Sequence, residues 1–213
     1  MALTTTEKIF VLNVYNTISE DFSITRVNIW PGVKKFIDEI PIIPDTNILE
    51  VGCGSGQNME YAIKIGIKTT GIDFSPKMVE LCTKKRLNVS KANVIDIPYK
   101  DCAFSHVMAV AIIHHLDSHQ RRMKAIHECI RVTKKGGTIL ITLWKIKDQY
   151  QTFKDIYIPW KSPKFVGAGI IRYYYLCDEW DVLAIKESIE YHGHTMEISE
   201  EYENYYLVIK KNN

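Results

Sequence analysis

The segment Glu50-Val51-Gly52-Cys53-Gly54-Ser55-Gly56 joins a short apolar run, Ile48–Val51, to a stretch with helical character at about 57–65. A strand that turns through alternating glycines into a helix constrains this chain more than any other feature. Glycine lets the backbone approach a ligand closely and take dihedrals that a side chain forbids. The helix that follows offers unpaired N–H groups. Such a loop can hold a dinucleotide, but two details point elsewhere. Glu50 stands immediately before the loop, where a phosphate would be repelled and a cationic amino-acid group favoured. Gln57-Asn58 follow Gly56, so the lysine of a nucleotide-triphosphate loop is missing.

Two further acids follow the next two strands. Asp73 ends the strand expected at 69–72, 23 residues after Glu50, about where a ribose diol is held in strand-loop-helix folds. Asp96, in Val94-Ile95-Asp96-Ile97-Pro98, follows the strand expected at 89–94 and suits an acceptor for an adenine amino group, with Ile97 against the ring. Three acids after three successive strands, at spacings that fit one cofactor, are more specific than any of them singly.

Alternation continues along the chain. Helices are expected at 7–19, from Pro31 to about residue 40, at 76–85 with Ser75 as N-cap, at 120–133 and at 179–191. Strands are expected at 106–111, at 138–143 after a Gly136-Gly137 turn, and at 205–210. This order implies an α/β fold, a mostly parallel seven-stranded sheet with helices on both faces. After Leu143 the pattern breaks. Residues 145–172 carry six Lys/Arg against two acids, and 177–203 carry nine acids against Lys186.

The 213 residues suit a single domain over 1–213, with N-terminal helices at about 7–40 forming a lid and an insert at about 144–175 on the substrate side. A net charge of +2 does not announce a nucleic-acid binder. The five cysteines show no CxxC pair and no zinc spacing, so no metal site is expected, and an unpaired count suits a reducing compartment. No signal peptide and no apolar run of membrane-spanning length are expected. The expectation is a soluble cytoplasmic protein, also compatible with the nucleus, with no membrane partner.

Glu50–Gly56, Ile72-Asp73-Phe74-Ser75, Asp96-Ile97-Pro98 and Lys134-Lys135-Gly136-Gly137-Thr138 resemble Rossmann-like class I S-adenosylmethionine-dependent methyltransferases. Further segments narrow this: Val14-Tyr15-Asn16-Thr17-Ile18, Phe22-Ser23-Ile24-Thr25-Arg26, Trp30-Pro31, Ile112-Ile113-His114-His115, Gln120-Arg121-Arg122, Leu143-Trp144, Ile158-Pro159-Trp160 and Arg172-Tyr173-Tyr174. From about residue 10 onward the chain is similar to the eukaryotic tRNA wobble-uridine carboxymethyl methyltransferases and the methyltransferase domain of their AlkB-fused relatives. The resemblance implies methyl transfer from S-adenosylmethionine to the carboxylate of 5-carboxymethyluridine-34 of tRNA. It also implies a heterodimer with a small zinc-binding methyltransferase activator protein, paired through the edge strand at 87–94. The chain departs from the family pattern at Ser55, Gln57 and Asn58 of the loop, and at Phe74, where an arginine is usual.

Under that resemblance, Glu50, Gly52, Cys53, Gly54, Gly56, Asp73, Phe74, Asp96, Ile97 and Ala111 are the expected cofactor residues. A carboxylate is ionised at neutral pH and needs orientation rather than a general base. Arginine orients it best, through paired hydrogen bonds. Arg26, Arg172, His114 and His115 are the candidate catalytic residues, and Trp30 and Trp144 the candidates for stacking on the uracil. A histidine acting as general base would instead suit a nucleophile that must lose a proton. Interleaved Lys and aromatic residues between Trp144 and Tyr175 suggest an RNA-contacting surface. The alternatives are a small-molecule class I methyltransferase and a catalytically idle binding subunit on the same fold.

Overall fold

The computed structural model describes residues 2–26, 28–146, 153–167 and 169–212. The chain opens with a continuous helical run: α1 (Thr5–Glu7), a π-helical turn (Lys8–Leu12) and α2 (Asn13–Thr25). Thr4 starts it with a capping box, its hydroxyl accepting from the Glu7 amide while the Glu7 carboxylate accepts from the Thr4 amide. The run starts earlier and ends six residues later than the expected 7–19. α3 (Pro31–Asp38) then leads to β1 (Asn47–Val51), α4 (Gln57–Lys64), β2 (Lys68–Asp73), α5 (Pro76–Lys84), β3 (Val89–Lys91) and β4 (Phe104–Ala109). After them come α6 (His119–Val132), β5 (Thr133–Trp144), a hairpin of β6 (Asp155–Pro159) and β7 (Ile171–Tyr175), α7 (Glu179–Tyr191), β8 (Thr195–Glu201) and β9 (Asn204–Lys210).

Seven strands form one sheet in the order β3-β2-β1-β4-β5-β9-β8. The pairs from β3 to β5 are parallel, and β5-β9 and β9-β8 are antiparallel. Alternation along each strand divides the core between two faces. Leu49 and Val51 pack with Ala125, Ile126 and Cys129 of α6 and Val182, Ile185 and Ile189 of α7. Ile48, Met108 and Leu140 point the other way, onto Val33, Phe36 and Ile37 of α3 and Ala62 of α4. The parallel order places the reversal of connection beside β1, so the crevice beyond the carboxyl ends of β1 and β4 is where a ligand belongs.

Two local expectations are corrected. Gly136-Gly137 is not a turn before a strand but an irregularity inside β5. There the register with β4 shifts between Phe104 and His106, and a Cβ on Gly137 would sit 2.2 Å from the Ser105 carbonyl oxygen. β3 ends at Lys91, three residues before the expected Val94. No helix among the described residues is long and apolar enough to cross a membrane.

Candidate active site

A cavity of about 490 Å³ opens at the carboxyl ends of β1, β2 and β4, roofed by α2, the start of α3, the β6–β7 hairpin and the β8–β9 turn. The glycine loop forms its floor. The Gly52 and Cys53 amides donate to the Ile72 carbonyl (2.7 and 3.0 Å), binding the loop to β2. Gly52 (φ +67°) and Gly56 (φ +81°) hold left-handed conformations, and a Cβ on Gly52 would meet Ile112 Cδ1 at 2.1 Å. Gly52, Cys53 and Gly54 line the cavity; Gly56 does not, and serves as the α4 N-cap.

Glu50 lies at the bottom, 3% exposed. Its Oε1 accepts from Asn58 Nδ2 at 2.7 Å, while its Oε2 is buried near the Met59 amide and, among the described residues, lacks a partner in good hydrogen-bond geometry. Burial is the main reason its carboxyl is pushed up to about 8, with Asp73 adding repulsion. Asp73 braces the loop: Oδ2 accepts from the Gly54 amide (3.0 Å) and Oδ1 from the Ser75 amide (2.8 Å). Burial raises its carboxyl to about 6 against these bonds. Phe74 and Ala111 also line the cavity. Ala111 is held at φ +57° with its amide donating to Thr142 Oγ1 at 2.8 Å, a strained backbone for a residue with a Cβ.

Asp96 and Ile97 do not line the cavity; Ala92, Asn93 and Val94 do. Because β3 stops at Lys91, the chain turns early: the Asp96 amide donates to the Asn93 carbonyl at 3.0 Å, and Asp96 is carried to the exposed side. Asn93 therefore borders the cavity, and Asp96, three residues on, lies outside its lining.

The opposite end of the cavity is positive. Arg172 of β7 is 7% exposed, and its guanidinium lies 4.7 Å from the Trp160 ring centroid and 5.2 Å from that of Tyr174. Its Nε is buried without a partner. Arg26, the C-cap of α2, lies 5.8 Å from the same Trp160 ring and 5.7 Å from Phe22. Among the described residues the ion-paired arginines are Arg121 and Arg131; neither Arg26 nor Arg172 is among them. Trp144 lies parallel to Tyr174, 4.3 Å between centroids and 5° between planes, and Trp30 lines the mouth beside α3.

The two histidines separate in role. His115 Nδ1 lies 2.8 Å from the Tyr173 carbonyl oxygen, which can only accept, so Nδ1 carries the hydrogen. Nε2 must then accept from the Tyr15 hydroxyl at 3.0 Å. With both nitrogens engaged and burial holding its pKa down at about 4, His115 is a neutral strut fixing α2 over the cavity. His114 is fully buried beside the Ala111 backbone, and among the described residues neither of its nitrogens is within good hydrogen-bond geometry of a partner. Burial, then His115 and Arg172, keep it neutral, well below the usual histidine range. Its ring lies beside the Trp144–Tyr174 stack, tilted to both, 5.4 Å from the Trp144 centroid and 5.2 Å from that of Tyr174.

The basic segment is less available to RNA than its composition suggests. Lys145 pairs with Glu200 (2.5 Å), Lys154 with Asp178 and Asp181 (2.7 and 2.8 Å), and Lys164 with Glu20 (3.3 Å). Two of the six basic side chains, Lys145 and Lys154, are thus held by the acidic stretch, and Lys164 by α2. Lys147, Asp148 and Tyr150 lie outside the described residues.

A family described as a methyltransferase domain matches residues 49–141, from β1 into β5. The chain is 34% identical over 166 residues to the tRNA (carboxymethyluridine(34)-5-O)-methyltransferase of Arabidopsis thaliana, covering 76% of this chain and 40% of that protein. It is 29% identical over 161 residues to the protein of the same name from Schizosaccharomyces pombe, covering 72% and 68%. The chain spans well under half the length of the Arabidopsis relative. A Bacteroides fragilis S-adenosylmethionine-dependent methyltransferase in complex with S-adenosyl-L-homocysteine superposes with a TM-score of 0.71 at 14% identity, over 100% of this chain and 98% of that one. The methyltransferase in a Haloferax volcanii complex with the Trm112 methyltransferase activator gives 0.68 at 14% identity, over 95% and 98%.

Proposed function

From the premise of a class I methyltransferase fold in a chain homologous to the tRNA (carboxymethyluridine(34)-5-O)-methyltransferases, we propose that it binds S-adenosylmethionine and methylates the carboxylate of 5-carboxymethyluridine at tRNA position 34. The observation that carries this reading is the polarity of the cavity: two buried carboxylates at the glycine-loop end, and at the other two guanidiniums that form no ion pair among the described residues.

The residues fit the cofactor. Glu50 Oε2, buried and without a partner in good hydrogen-bond geometry among the described residues, is an acceptor waiting for a cationic donor such as an amino-acid ammonium. Each Asp73 oxygen accepts one backbone N–H and keeps lone pairs for ribose hydroxyls. Asn93, Val94 and Phe74 supply a polar amide and apolar walls for a flat base. S-adenosylmethionine, when bound, supplies an electrophilic sulfonium methyl.

The remaining chemistry belongs to the chain. Arg172 and Arg26 orient an anionic acceptor. The Trp144–Tyr174 stack offers a platform for an unstacked uracil. His114, neutral, can hydrogen-bond the acceptor nucleotide, and no base is needed because a carboxylate is already deprotonated. The α2 lid, locked by the Tyr15–His115 bond, excludes water and strengthens these interactions. At the sheet margin β3 leaves one edge unpaired, with Ser90 and Lys91 exposed; we propose this edge for strand addition by a zinc-binding activator protein.

The test is incubation with S-adenosylmethionine and tRNA from cells lacking wobble methyl esters, with and without the activator, followed by nucleoside mass spectrometry. Formation of 5-methoxycarbonylmethyluridine is expected. Its absence in both arms, with the protein folded and cofactor bound, overturns the reading.

A further inference from the structure

We infer that Asp21 and Trp160 are positioning residues that aim the Arg172 and Arg26 guanidiniums at the acceptor, making this end of the cavity a receptor selective for a carboxylate over its uncharged amide. The inference rests on the proposed carboxylate acceptor and adds the residues that enforce the choice.

Trp160 immediately follows β6, and its amide donates to the Ile170 carbonyl at 2.8 Å. The hairpin register pairs Ile158 with Arg172, so the indole and the guanidinium lie side by side. The indole cannot rotate. Its Nε1 donates to Asp21 Oδ2 at 2.8 Å, and Ser162 Oγ donates to Asp21 Oδ1 at 2.7 Å. Asp21, Trp160 and Ser162 are all buried.

One fixed indole thereby serves two cations, Arg172 at 4.7 Å and Arg26 at 5.8 Å from its centroid. A carboxylate accepting from the indole N–H pushes electron density onto the ring and strengthens its attraction for a cation. Asp21 and Arg26 both belong to the end of α2, as an interior residue and the C-cap. The helix therefore holds the indole with one residue and shares it with another. Neither arginine is ion-paired among the described residues; the Arg172 guanidinium also meets the Tyr15 hydroxyl, and its buried Nε is left without a partner for an anionic ligand to fill. An amide presents one acceptor oxygen and a competing NH₂ group, so it cannot satisfy two guanidiniums.

The test compares wild type with Trp160→Phe, Trp160→Leu and Asp21→Asn. Calorimetry measures S-adenosylmethionine affinity. Competition binding uses anticodon stem-loops carrying 5-carboxymethyluridine or the corresponding amide at position 34. Wild type is expected to prefer the acid by about 10-fold or more, the scale of a charge-assisted hydrogen bond. Trp160→Leu should erase most of that preference and raise the acceptor KM, with cofactor affinity within about twofold because Glu50 and Asp73 are untouched. Trp160→Phe, which keeps the ring face, should restore part of the preference; Asp21→Asn, which keeps an acceptor for Nε1 but removes the charge, should weaken it. If wild type binds acid and amide alike, the carboxylate reading itself fails. If wild type discriminates and a folded Trp160→Leu discriminates equally, the positioning role is overturned. Should Trp160→Leu not fold, the same comparison in Trp160→Phe and Asp21→Asn decides it, undiminished preference in both refuting the inference.

Discussion

A single oxygen, Glu50 Oε2, shows how a residue can be costly and useful together. A buried carboxylate with half its acceptors unfilled is destabilising unless it is protonated or paired. Its raised pKa means the folded protein without ligand retains a proton that the unfolded chain has lost. The contribution to stability is therefore fully present below the ordinary glutamate pKa of roughly 4.5 and is lost as pH rises towards about 8. Glu50→Gln removes this dependence and keeps an acceptor for Asn58. The variant should melt higher than wild type at pH 8, with the gap closing near pH 5, as followed by circular dichroism. A cationic ligand should reverse the preference, since an ammonium pairs with the ionised form. Glu50→Gln should bind S-adenosylmethionine about 10- to 100-fold more weakly, the loss of one charge-assisted hydrogen bond. Wild-type affinity should tighten from pH 6 to 7.5 with proton release, measurable by calorimetry in buffers of different ionisation enthalpy. The placement of Glu50 and Asp73 at the cavity was legible in the sequence because each sits within a few residues of the strand end that carries it. That of Asp96 was not, because it depends on where β3 stops: with the strand ending at Lys91, Asn93 borders the cavity and Asp96 does not.

Elements meet at buried polar joints rather than through apolar packing alone. The N-terminal run is clamped to the start of α6 by a bidentate Glu7–Arg121 pair, with Glu7 2% and Arg121 12% exposed in their side chains. Thr4 adds a hydrogen bond to Asp117, and Asn16 accepts one from Ser75 at 2.7 Å. Such a pair adds little relative to an apolar contact, yet breaking it is severe because a charge is left buried. Arg121→Met should destabilise the docked run by about 3 kcal/mol, the scale for a buried pair that loses one partner. Hydrogen exchange should then accelerate over residues 5–25 while β1, β4 and β5 stay protected; equal acceleration throughout would argue against a separable lid. The Thr4–Glu7 capping signature is present in the sequence, but its second function, the carboxylate shared with Arg121, joins residues 114 apart. The Gly136-Gly137 pair looked like a turn because glycines mark turns; its actual demand is the approach of the Ser105 carbonyl from the neighbouring strand.

Charge organises the whole molecule. The basic stretch at 145–172 and the acidic one at 177–203 are far from neutral separately, yet fold against each other through Lys145–Glu200 and Lys154–Asp178/Asp181. Lys154 is thus a brace between the β6–β7 hairpin and the α7 N-terminus, whereas Lys161 is exposed and carries no ion pair among the described residues. Phosphate contacts reveal themselves in the salt dependence of binding. Lys161→Gln should reduce the slope of log K for tRNA against log salt by roughly 0.7–0.9, one phosphate contact. Lys154→Gln should leave that slope unchanged while costing about 1 kcal/mol of stability, the scale of a partly exposed pair. A reduced slope for Lys154→Gln would show that RNA displaces the aspartates.

The strand–glycine loop–helix unit, the alternation that builds a parallel sheet, and the placement of Glu50 and Asp73 at the ends of β1 and β2 were all readable along the chain. All of these depend on short-range periodicity and on backbone conformations that few residues tolerate. Folding, not any local pattern, leaves His115 with both ring nitrogens engaged while its neighbour His114 has none bonded among the described residues, brings Asn93 rather than Asp96 to the cavity wall, and joins Asp21 to Trp160 across 139 residues. Those outcomes follow from burial and hydrogen-bond satisfaction between distant elements, and no local pattern encodes a partner that folding alone brings near.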